Sequence, residues 1–562
     1  MHIRHTVAIA ITFLLSAPAL GQVRLTDGAD LRSAIPLEID LAPTVATPGS
    51  STGTGQPPRI GANVRVNDPQ HLFPAGLVGR SETTIAAASG GSTLVAGWND
   101  ADGFCGAPFF AGCTVPPTPG LSGYGFSSNG GASWIDGGAP PQLGKDIITR
   151  GDPWLDVGGA DGKTFFFANL AVDHLGNSVG LSVHRGRFTG PSFAFTDVQA
   201  FDSPRNATSP GADFYDKLSI ATGKGGSKSA YASVTNFQEL CGNPQFGFGQ
   251  IEVWRTHDGG DTWQGPGIAG PEAPDSVASC GFEGTLQQTS VAAVGPGGEV
   301  YVVWQFGPTF TNVTSTNAKI VIARSLDGGA TFEPFKVVAN INSMRQNPPV
   351  GYNRTRLNDH PRIDVAQNGP WKGRVYVSYY TAVTPVSAPI NVQSLVSSEV
   401  FVSFSDDRGQ TWSAPTRVAP AVPATGLKRF WPVVTVQPGG TVDVIFYESQ
   451  ERPGNAANGE NTSNCNIAGR VGPAHSFIDT WWAESTNGGG TFSRLERVSA
   501  HTTDWCRVGS NIVPNFGDYI GSASAANRVF PIWADGSVPF LADGRGIPET
   551  FMAPIKTAGA SP

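Results

Sequence analysis

The sequence predicts an all-β protein, specifically a β-propeller whose four-stranded blades are arranged around a central axis. Two observations support this prediction. The 562 residues include 71 glycines and 44 prolines but only 15% charged residues, which is typical of many short strands joined by tight turns. From Arg80 onward the sequence also resembles itself at a spacing of about 60–80 residues, as expected for stacked or radial repeats.

The first part of the chain does not follow the repeat. A short charged stretch is followed by an apolar run from Val7 to Leu15 and by small residues ending at Gly21. This order predicts a secretory signal peptide, residues 1–21, and an exported protein. Residues 22–58 are rich in Pro, Thr, Ser and Gly and predict a flexible leader. Residues 59–557 are then expected to form a single propeller domain.

Charge and cysteine content narrow the class of partner and compartment. A formal net charge of -8 argues against the basic surface that nucleic acid or an anionic membrane requires, and no segment has the roughly 20 apolar residues of a membrane span. An even set of six cysteines in an exported chain predicts disulfides, and no zinc-site spacing supports the alternative of a metal site. The expected pairs join sequence neighbours: Cys105–Cys113, Cys241–Cys280 and Cys465–Cys506.

One repeated element is a hairpin turn with the pattern S/T-x-D/N-x-G-x-S/T-W/F. Its five copies are residues 127–134, 256–263, 325–332, 405–412 and 485–492. In this spacing the Asp or Asn oxygen can cap turn amides, the glycine can take a positive φ, and the aromatic residue can pack between sheets. The element is therefore interpreted as structural, with no catalytic role.

A second repeated element pairs an inner strand with an aromatic-rich strand. Seven copies begin near residues 82, 152, 217, 288, 360, 431 and 519. They favour seven blades, with six blades as the alternative if one unit is misread. The extended segment at residues 62–66 could pair with the last sheet, which would close the ring and remove an exposed edge.

The residues that open the inner strands are the candidate binding site, because in a propeller they face one central funnel. Together they form a ring that also includes Lys217, Gln288, Asp359, Trp431 and Tyr519, and in which the substrate-binding candidates are Arg80, Glu82, Arg150, Asp152, Asp216, His360, Arg429 and Asp518. Such a ring fits a polyhydroxylated or carboxylated ligand held by arginines, with carboxylates nearby for acid or base chemistry. Alternatively, these groups hydrogen-bond loop backbone and one another around a water-filled channel.

The five turns match the Asp-box, or BNR, repeat, and in repeat architecture the chain resembles the sialidase-like superfamily over most of its length. By this resemblance Arg80 looks like the first substrate-binding arginine, Asp100 is placed like the acid/base, and Tyr519 is placed like the nucleophilic tyrosine. A phenol suits an anionic sugar, which would repel a carboxylate nucleophile. Gln288 stands where the family has a glutamate, and Glu283 could substitute for that glutamate if its loop turns inward.

The resemblance implies a sialidase-like exo-glycosidase that acts on an anionic or polyhydroxylated glycan. The protein is also expected to be secreted, monomeric and free of a cofactor. The alternative is a non-catalytic propeller that binds glycan or protein through its funnel. An acidic rim could also bind calcium, although no EF-hand spacing supports this. The arginines that would complete a carboxylate clamp are open among Arg150, Arg356, Arg362 and Arg429.

Overall fold

A computed structural model describes most of the chain beyond residue 58. The described ranges are 59–69, 78–104, 120–142, 147–173, 178–201, 213–238, 249–271, 285–307, 318–354, 356–386, 395–458, 465, 473–510, 512–541 and 544–557. They belong to a compact unit that spans residues 57–562. Several predicted features lie outside these ranges: the signal peptide, the leader, Cys105, Cys113, Cys241, Cys280 and Glu283. None of the described helices is both long and apolar enough to cross a membrane.

The chain enters the fold through β1 (Val64–Arg65) and then builds consecutive antiparallel sheets. The first sheet contains β2 (Arg80–Ala87), β3 (Leu94–Asp100), β4 (Ser122–Ser127) and β5 (Ile135–Gly138). The second contains β6 (Ile147–Thr149) and β7 (Trp154–Gly158), which both pair with β8 (Thr164–Asp173), followed by β9 (Ser178–Thr189) and β10 (Ser192–Phe201). The third contains β11 (Asp213–Thr222), β12 (Ala230–Gln238), β13 (Gly249–Thr256) and β14 (Gln264–Gly270).

The same pattern continues through the rest of the chain. The fourth sheet contains β15 (Gln287–Val294), β16 (Val300–Phe306), β17 (Ala318–Ser325) and β18 (Lys336–Ile341). A nine-stranded sheet follows, with β19 (Arg362–Val365), β20 (Val375–Ala382), β21 (Ser398–Ser405), β22 (Thr416–Arg417), β23 (Leu427–Val436), β24 (Val442–Pro453), β25 (Pro473–Ser485), β26 (Arg494–Arg497) and β27 (Thr503–Asp504). The C-terminal sheet contains β28 (Gly521–Ala525), β29 (Arg528–Asp535), β30 (Glu549–Met552) and β31 (Ile555–Lys556). Short 3₁₀ helices occur at Ala101–Phe104, Ala456–Asn458 and Trp505–Arg507.

The innermost strands close a ring. The strands β2, β7, β11, β15, β19, β23 and β28 contact one another in this order, and β28 contacts β2. The N-terminal strand β1 pairs with β30, with Val64 opposite Met552, and so completes the C-terminal sheet. The prediction of an all-β propeller with four-stranded antiparallel blades is therefore confirmed.

Side chains of one inner strand hold the backbone of the next. The Leu155 amide donates to Thr84 Oγ1 (3.0 Å), and the Thr222 amide donates to Asp156 Oδ2 (2.7 Å). Between the sheets the core is aromatic, with fully buried tryptophans at positions 98, 304, 482 and 533. Burying a large apolar side chain is worth about 1.5–3 kcal/mol, so this packing contributes to the cohesion between blades.

The five repeated turns adopt the predicted structure, as the copy at residues 325–332 shows. Asp327 Oδ1 accepts hydrogen bonds from the amides of Ala330 (3.1 Å) and Thr331 (3.0 Å). The Gly329 amide donates to Ser325 Oγ (2.8 Å), and the φ of Gly329 is 81°. The side-chain hydrogen bond from Thr331 holds the pKa of Asp327 well below its ordinary value.

Replacing Asp327 with alanine is expected to lower the free energy of unfolding by about 0.5–2 kcal/mol, the usual cost of losing a side-chain cap on backbone amides. Chemical denaturation would measure this loss. Asp327→Asn is the matched control, because asparagine keeps the accepting oxygen and occupies the equivalent position in two other copies, at residues 129 and 487. Equal destabilisation by both variants would contradict the capping role.

A disulfide joins Cys465 to Cys506, with Cα atoms 5.7 Å apart. This confirms one of the three predicted pairs. The bond ties the segment after β24 to the short helix at Trp505–Arg507, which contacts β25.

Candidate functional site

Five of the seven inner strands share a backbone irregularity where they reach the axis. Glu82, Asp152, Lys217, Thr289 and Trp431 have φ values between 48° and 65°, a left-handed conformation that is rare outside glycine. In β2, β11, β15 and β23 the pairing register shifts at this same place. Such a bulge re-aims side chains, and a left-handed non-glycine residue costs of order 1–3 kcal/mol. The bulge thus brings side chains from separate sheets into contact at the axis.

Lys217 is the centre of a buried ion-pair network with Glu82, Asp152 and Asp518, called here the axial network. The Lys217 Nζ atom lies 2.7 Å from Glu82 Oε1, 3.1 Å from Asp152 Oδ2 and 3.0 Å from Asp518 Oδ2. Burial lowers the pKa of Lys217, but the three carboxylates outweigh it and raise that pKa well above its ordinary value. Burial and the nearby Glu82 carboxylate raise the pKa of Asp152 to about 7. Because three carboxylates share one ammonium, the network favours a proton on Asp152.

Tyr519 and His360 lie beside the axial network. The Tyr519 ring centroid is 5.4 Å from the ring centroids of both His360 and Trp154. The Tyr519 hydroxyl donates to the Pro153 carbonyl (2.9 Å), and burial raises its pKa well above the ordinary value. Burial lowers the pKa of His360 well below its ordinary value, so the imidazole is neutral. Tyr519 is thus a protonated phenol bonded to backbone.

Arg80 and Asp100 belong to a different cluster, which lies between β2, β3 and β30. Arg80 Nε is 3.2 Å from Asp100 Oδ1, and Arg80 Nη1 is 2.6 Å from Glu549 Oε2. Trp98 Nε1 donates to the other oxygen of Asp100 (3.0 Å). In the described part of the chain, no hydrogen bond or ion pair joins Asp100 to Tyr519. The structure therefore does not place these two predicted catalytic residues in contact, and their roles stay predictions.

A loop between β18 and β19 brings three arginines to the upper rim, where the inner strands begin. This arginine loop comprises residues 342–354 and 356–361 and carries Arg345, Arg354 and Arg356. Tyr352 and Arg354 anchor the loop on Asp518, with contacts of 2.9 Å and 2.6 Å. Burial and the neighbouring arginines lower the pKa of Arg356 to about 10 and that of Arg345 well below its ordinary value.

Asp216 faces these arginines in what we call the rim site: Arg150, Asp216, Gln288, Arg354 and Arg356. Gln288 is buried, whereas the other four are partly exposed. Gln288 Nε2 donates to Asp216 Oδ2 (2.6 Å), and burial raises the pKa of Asp216. Asp216 partly offsets the effect of burial, which lowers the pKa of both Arg150 and Arg356. The rim site thus combines a carboxyl group of raised pKa with several cations that solvent can reach.

Of the predicted ring, Glu82, Asp152 and Asp518 meet in the axial network, and Arg150 and Asp216 meet in the rim site. Arg429 lies apart from both, with its Nε atom 2.7 Å from Glu448 Oε2 between β23 and β24. Within the described ranges, no group of three or more His, Cys, Asp or Glu side chains is arranged to hold a metal ion.

The sequence prediction named Arg356 only as one open choice and did not single out Arg345 or Arg354. The available signal was a run of closely spaced arginines in a segment that carries neither a turn motif nor a strand pattern.

No protein-family model matches the sequence, and no curated protein matches it. Several solved structures are similar to it in fold. A protein of unknown function from Dyadobacter fermentans is 12% identical and covers 88% of this chain and 98% of its own, with a TM-score of 0.39. The GH93 α-L-arabinofuranosidase of Fusarium graminearum, solved with arabinobiose, is 13% identical and covers 69% of this chain and 93% of its own (TM-score 0.41). The NanB sialidase from Streptococcus pneumoniae is 9% identical and covers 82% of each chain (TM-score 0.37). At these identities the similarity concerns the fold alone. The fold itself is established by the strand pairing described above.

Proposed function

We propose that the protein is a secreted propeller that binds an anionic, polyhydroxylated glycan at the rim site and hydrolyses it as an exo-glycosidase. The arginine loop carries this proposal. Arg356 donates to the neutral amide oxygen of Asn358 (2.6 Å), so its charge is available to a ligand carboxylate. A guanidinium can hold a carboxylate through two parallel hydrogen bonds, which fixes orientation as well as charge.

Asp216 is our candidate for the proton donor. Burial raises its pKa, which favours the protonated form that a general acid needs. Burial would also raise the pKa of Asp518, but Arg354 and Lys217 outweigh it and lower that pKa. Since Asp518 is fully buried and anchors Arg354, we assign it a positioning role.

The sialidase-like roles of Arg80, Asp100, Tyr519 and Glu283 remain predictions beside this proposal. Three of the predicted substrate-binding residues do not belong to the rim site: Glu82, Asp152 and His360. We propose that they position the inner strands that carry the rim site and do not contact the ligand themselves.

We also propose that the propeller has seven blades. The nine-stranded sheet divides into β19–β22 and β23–β27, which are linked in the sheet by one parallel pair, Ser398 with Lys428. An experimental structure would count the blades directly. Export is proposed from the predicted signal peptide together with the Cys465–Cys506 disulfide, since disulfides persist in oxidising compartments. A mature N-terminus at Gln22 would support it.

Replacing Arg356 with alanine is expected to weaken binding of a carboxylated glycan about 10- to 100-fold, since a hydrogen bond to a charged group is worth roughly 1.5–3 kcal/mol. Isothermal titration calorimetry would measure this against a sialoside and against its carboxyl-reduced, neutral counterpart. The neutral ligand is expected to bind both proteins with similar affinity.

The matched control for this variant is Arg417→Ala. Arg417 is 47% exposed and pairs with Glu399 between β21 and β22, away from the rim site. Equal binding by Arg356→Ala and by the unmodified protein would refute the rim site. Binding without turnover of any aryl glycoside in a panel would instead favour the alternative function, a non-catalytic glycan-binding propeller.

A further inference from the structure

Arg362 crosses the central channel below the axial network. It is the first residue of β19, and its guanidinium carbon lies 3.9 Å from the ring centroid of Trp154 in β7. It also donates a hydrogen bond to the carbonyl of Ile520, just before β28. The residue is only 6% exposed. One cation thus bridges three separate blades at the axis.

No carboxylate in the described part of the chain forms an ion pair with this guanidinium. Asp364 is two residues further along β19, but its oxygens accept the amides of Val365 (2.7 Å) and Val436 (2.7 Å). Burial lowers the pKa of Arg362 to about 9, so the group is still charged at neutral pH. A buried charge is costly unless an opposite charge pairs with it. The indole face of Trp154 covers one side of the Arg362 guanidinium but carries no full negative charge.

Arg362 borders a cavity of about 410 Å³ on the lower side of the ring, where the inner strands end. None of the rim-site residues lines this cavity. Its wall includes Trp154, Val291, Val433 and Gly521, which carry no side-chain charge, and also Asp364, whose oxygens accept the two backbone amides named above. The carboxylate of Asp156, also in the wall, is paired with Lys224 (2.7 Å).

We propose that this lower cavity is a second binding site, in which a small monovalent anion, a halide or a small carboxylate, pairs with Arg362. A single buried guanidinium balances a single negative charge, which favours monovalent anions over polyanions. The Trp154 face covers one side of the guanidinium and fixes its plane, so the edge of the guanidinium is the part that can donate to an anion. Lys224, the other cation of the cavity, is already paired with Asp156. The site is independent of the glycan function proposed for the rim.

Thermal unfolding in sodium sulfate, whose divalent anion the proposed site disfavours, with bromide or acetate exchanged in at constant ionic strength, tests the proposal. Preferential binding to the folded state is expected to raise the midpoint of the unmodified protein saturably, by roughly 2–5 °C. A larger rise with bromide would identify a halide site, and a larger rise with acetate a carboxylate site. Either result supports the proposal, whereas a midpoint that does not respond saturably to either anion would overturn it.

Arg362→Met is expected to abolish the anion response, while Lys224→Met, which removes the partly exposed cation of the same cavity, is expected to keep it. Persistence of the response in Arg362→Met, or its loss in Arg356→Ala, would place the anion elsewhere and refute the site. If Arg362→Met does not fold, crystals of the unmodified protein soaked in bromide decide the question. An anomalous peak beside Arg362 supports the site, and peaks confined to the rim contradict it.

Discussion

Replacing Lys217 with methionine is expected to lower the free energy of unfolding by about 3–5 kcal/mol, the usual cost of breaking a buried ion pair by removing one partner. The side chain is 5% exposed and holds three carboxylates from other strands or loops within 3.1 Å. Methionine fills a similar volume but leaves Glu82, Asp152 and Asp518 buried without their shared cation. Equilibrium denaturation in urea would measure the loss.

Lys224→Met is the matched control. Lys224 also pairs with an aspartate on the neighbouring inner strand, at 2.7 Å, but its side chain is 38% exposed. Exposed ion pairs contribute about 0–1 kcal/mol, so this variant should unfold almost like the unmodified protein. The triple variant Lys217→Met, Glu82→Gln, Asp152→Asn should recover part of the loss, because it replaces two of the unpaired carboxyl groups with neutral amides. Equal stability of the Lys217→Met and Lys224→Met variants would contradict a stabilising axial network.

Replacing Asp216 with asparagine is expected to lower turnover of a cleaved glycoside about 100- to 10,000-fold, the usual contribution of a general acid. Affinity should fall much less, because asparagine keeps one oxygen for the Gln288 amide. In the unmodified protein, turnover should decline as the pH rises through the raised pKa of Asp216, since the donor then loses its proton. Initial rates across a pH series would show both effects.

Asp100→Asn and Tyr519→Phe are the decisive comparisons for this prediction. If Asp216 is the donor, both variants should retain most of the turnover. Tyr519→Phe would then lose only the hydrogen bond to Pro153. Loss of turnover in Asp100→Asn and Tyr519→Phe, with activity preserved in Asp216→Asn, would instead support the sialidase-like assignment and refute ours.

The repeats made the propeller predictable, because each local signal has one structural meaning. The Asp-box turns require a hairpin wherever they occur, and the extended segment before the first repeat had to pair somewhere, which it does with β30. The blade boundaries were harder to predict. Ser398 and Lys428 link two runs of strands into one sheet, a contact that depends on the path of the loops and leaves no pattern in the sequence.

The site was predictable only in part, because alternation along a strand fails at a bulge. The register of β11 shifts after Asp216, and Lys217 is left-handed, so alternation does not tell which of these two neighbours reaches the rim site and which the axial network. Arg80 does open the first inner strand as predicted, but Glu549, more than 450 residues away in sequence, helps to hold its guanidinium (2.6 Å). Long-range ion pairs of this kind are set by ring closure and cannot be inferred from local sequence.

The left-handed residue found in five of the inner strands keeps one backbone conformation while its side chain differs from blade to blade. An acid, an ammonium, a hydroxyl and an indole, those of Glu82, Lys217, Thr289 and Trp431, occupy the same backbone conformation in different blades. The conformation is therefore imposed by the sheet, and duplicated units could diverge at this one position without remodelling their strands. Glycine at these positions would relieve the backbone strain but would remove the side chain that the blade contributes to the centre. The stability of the strand and the chemistry of the centre therefore favour different residues there.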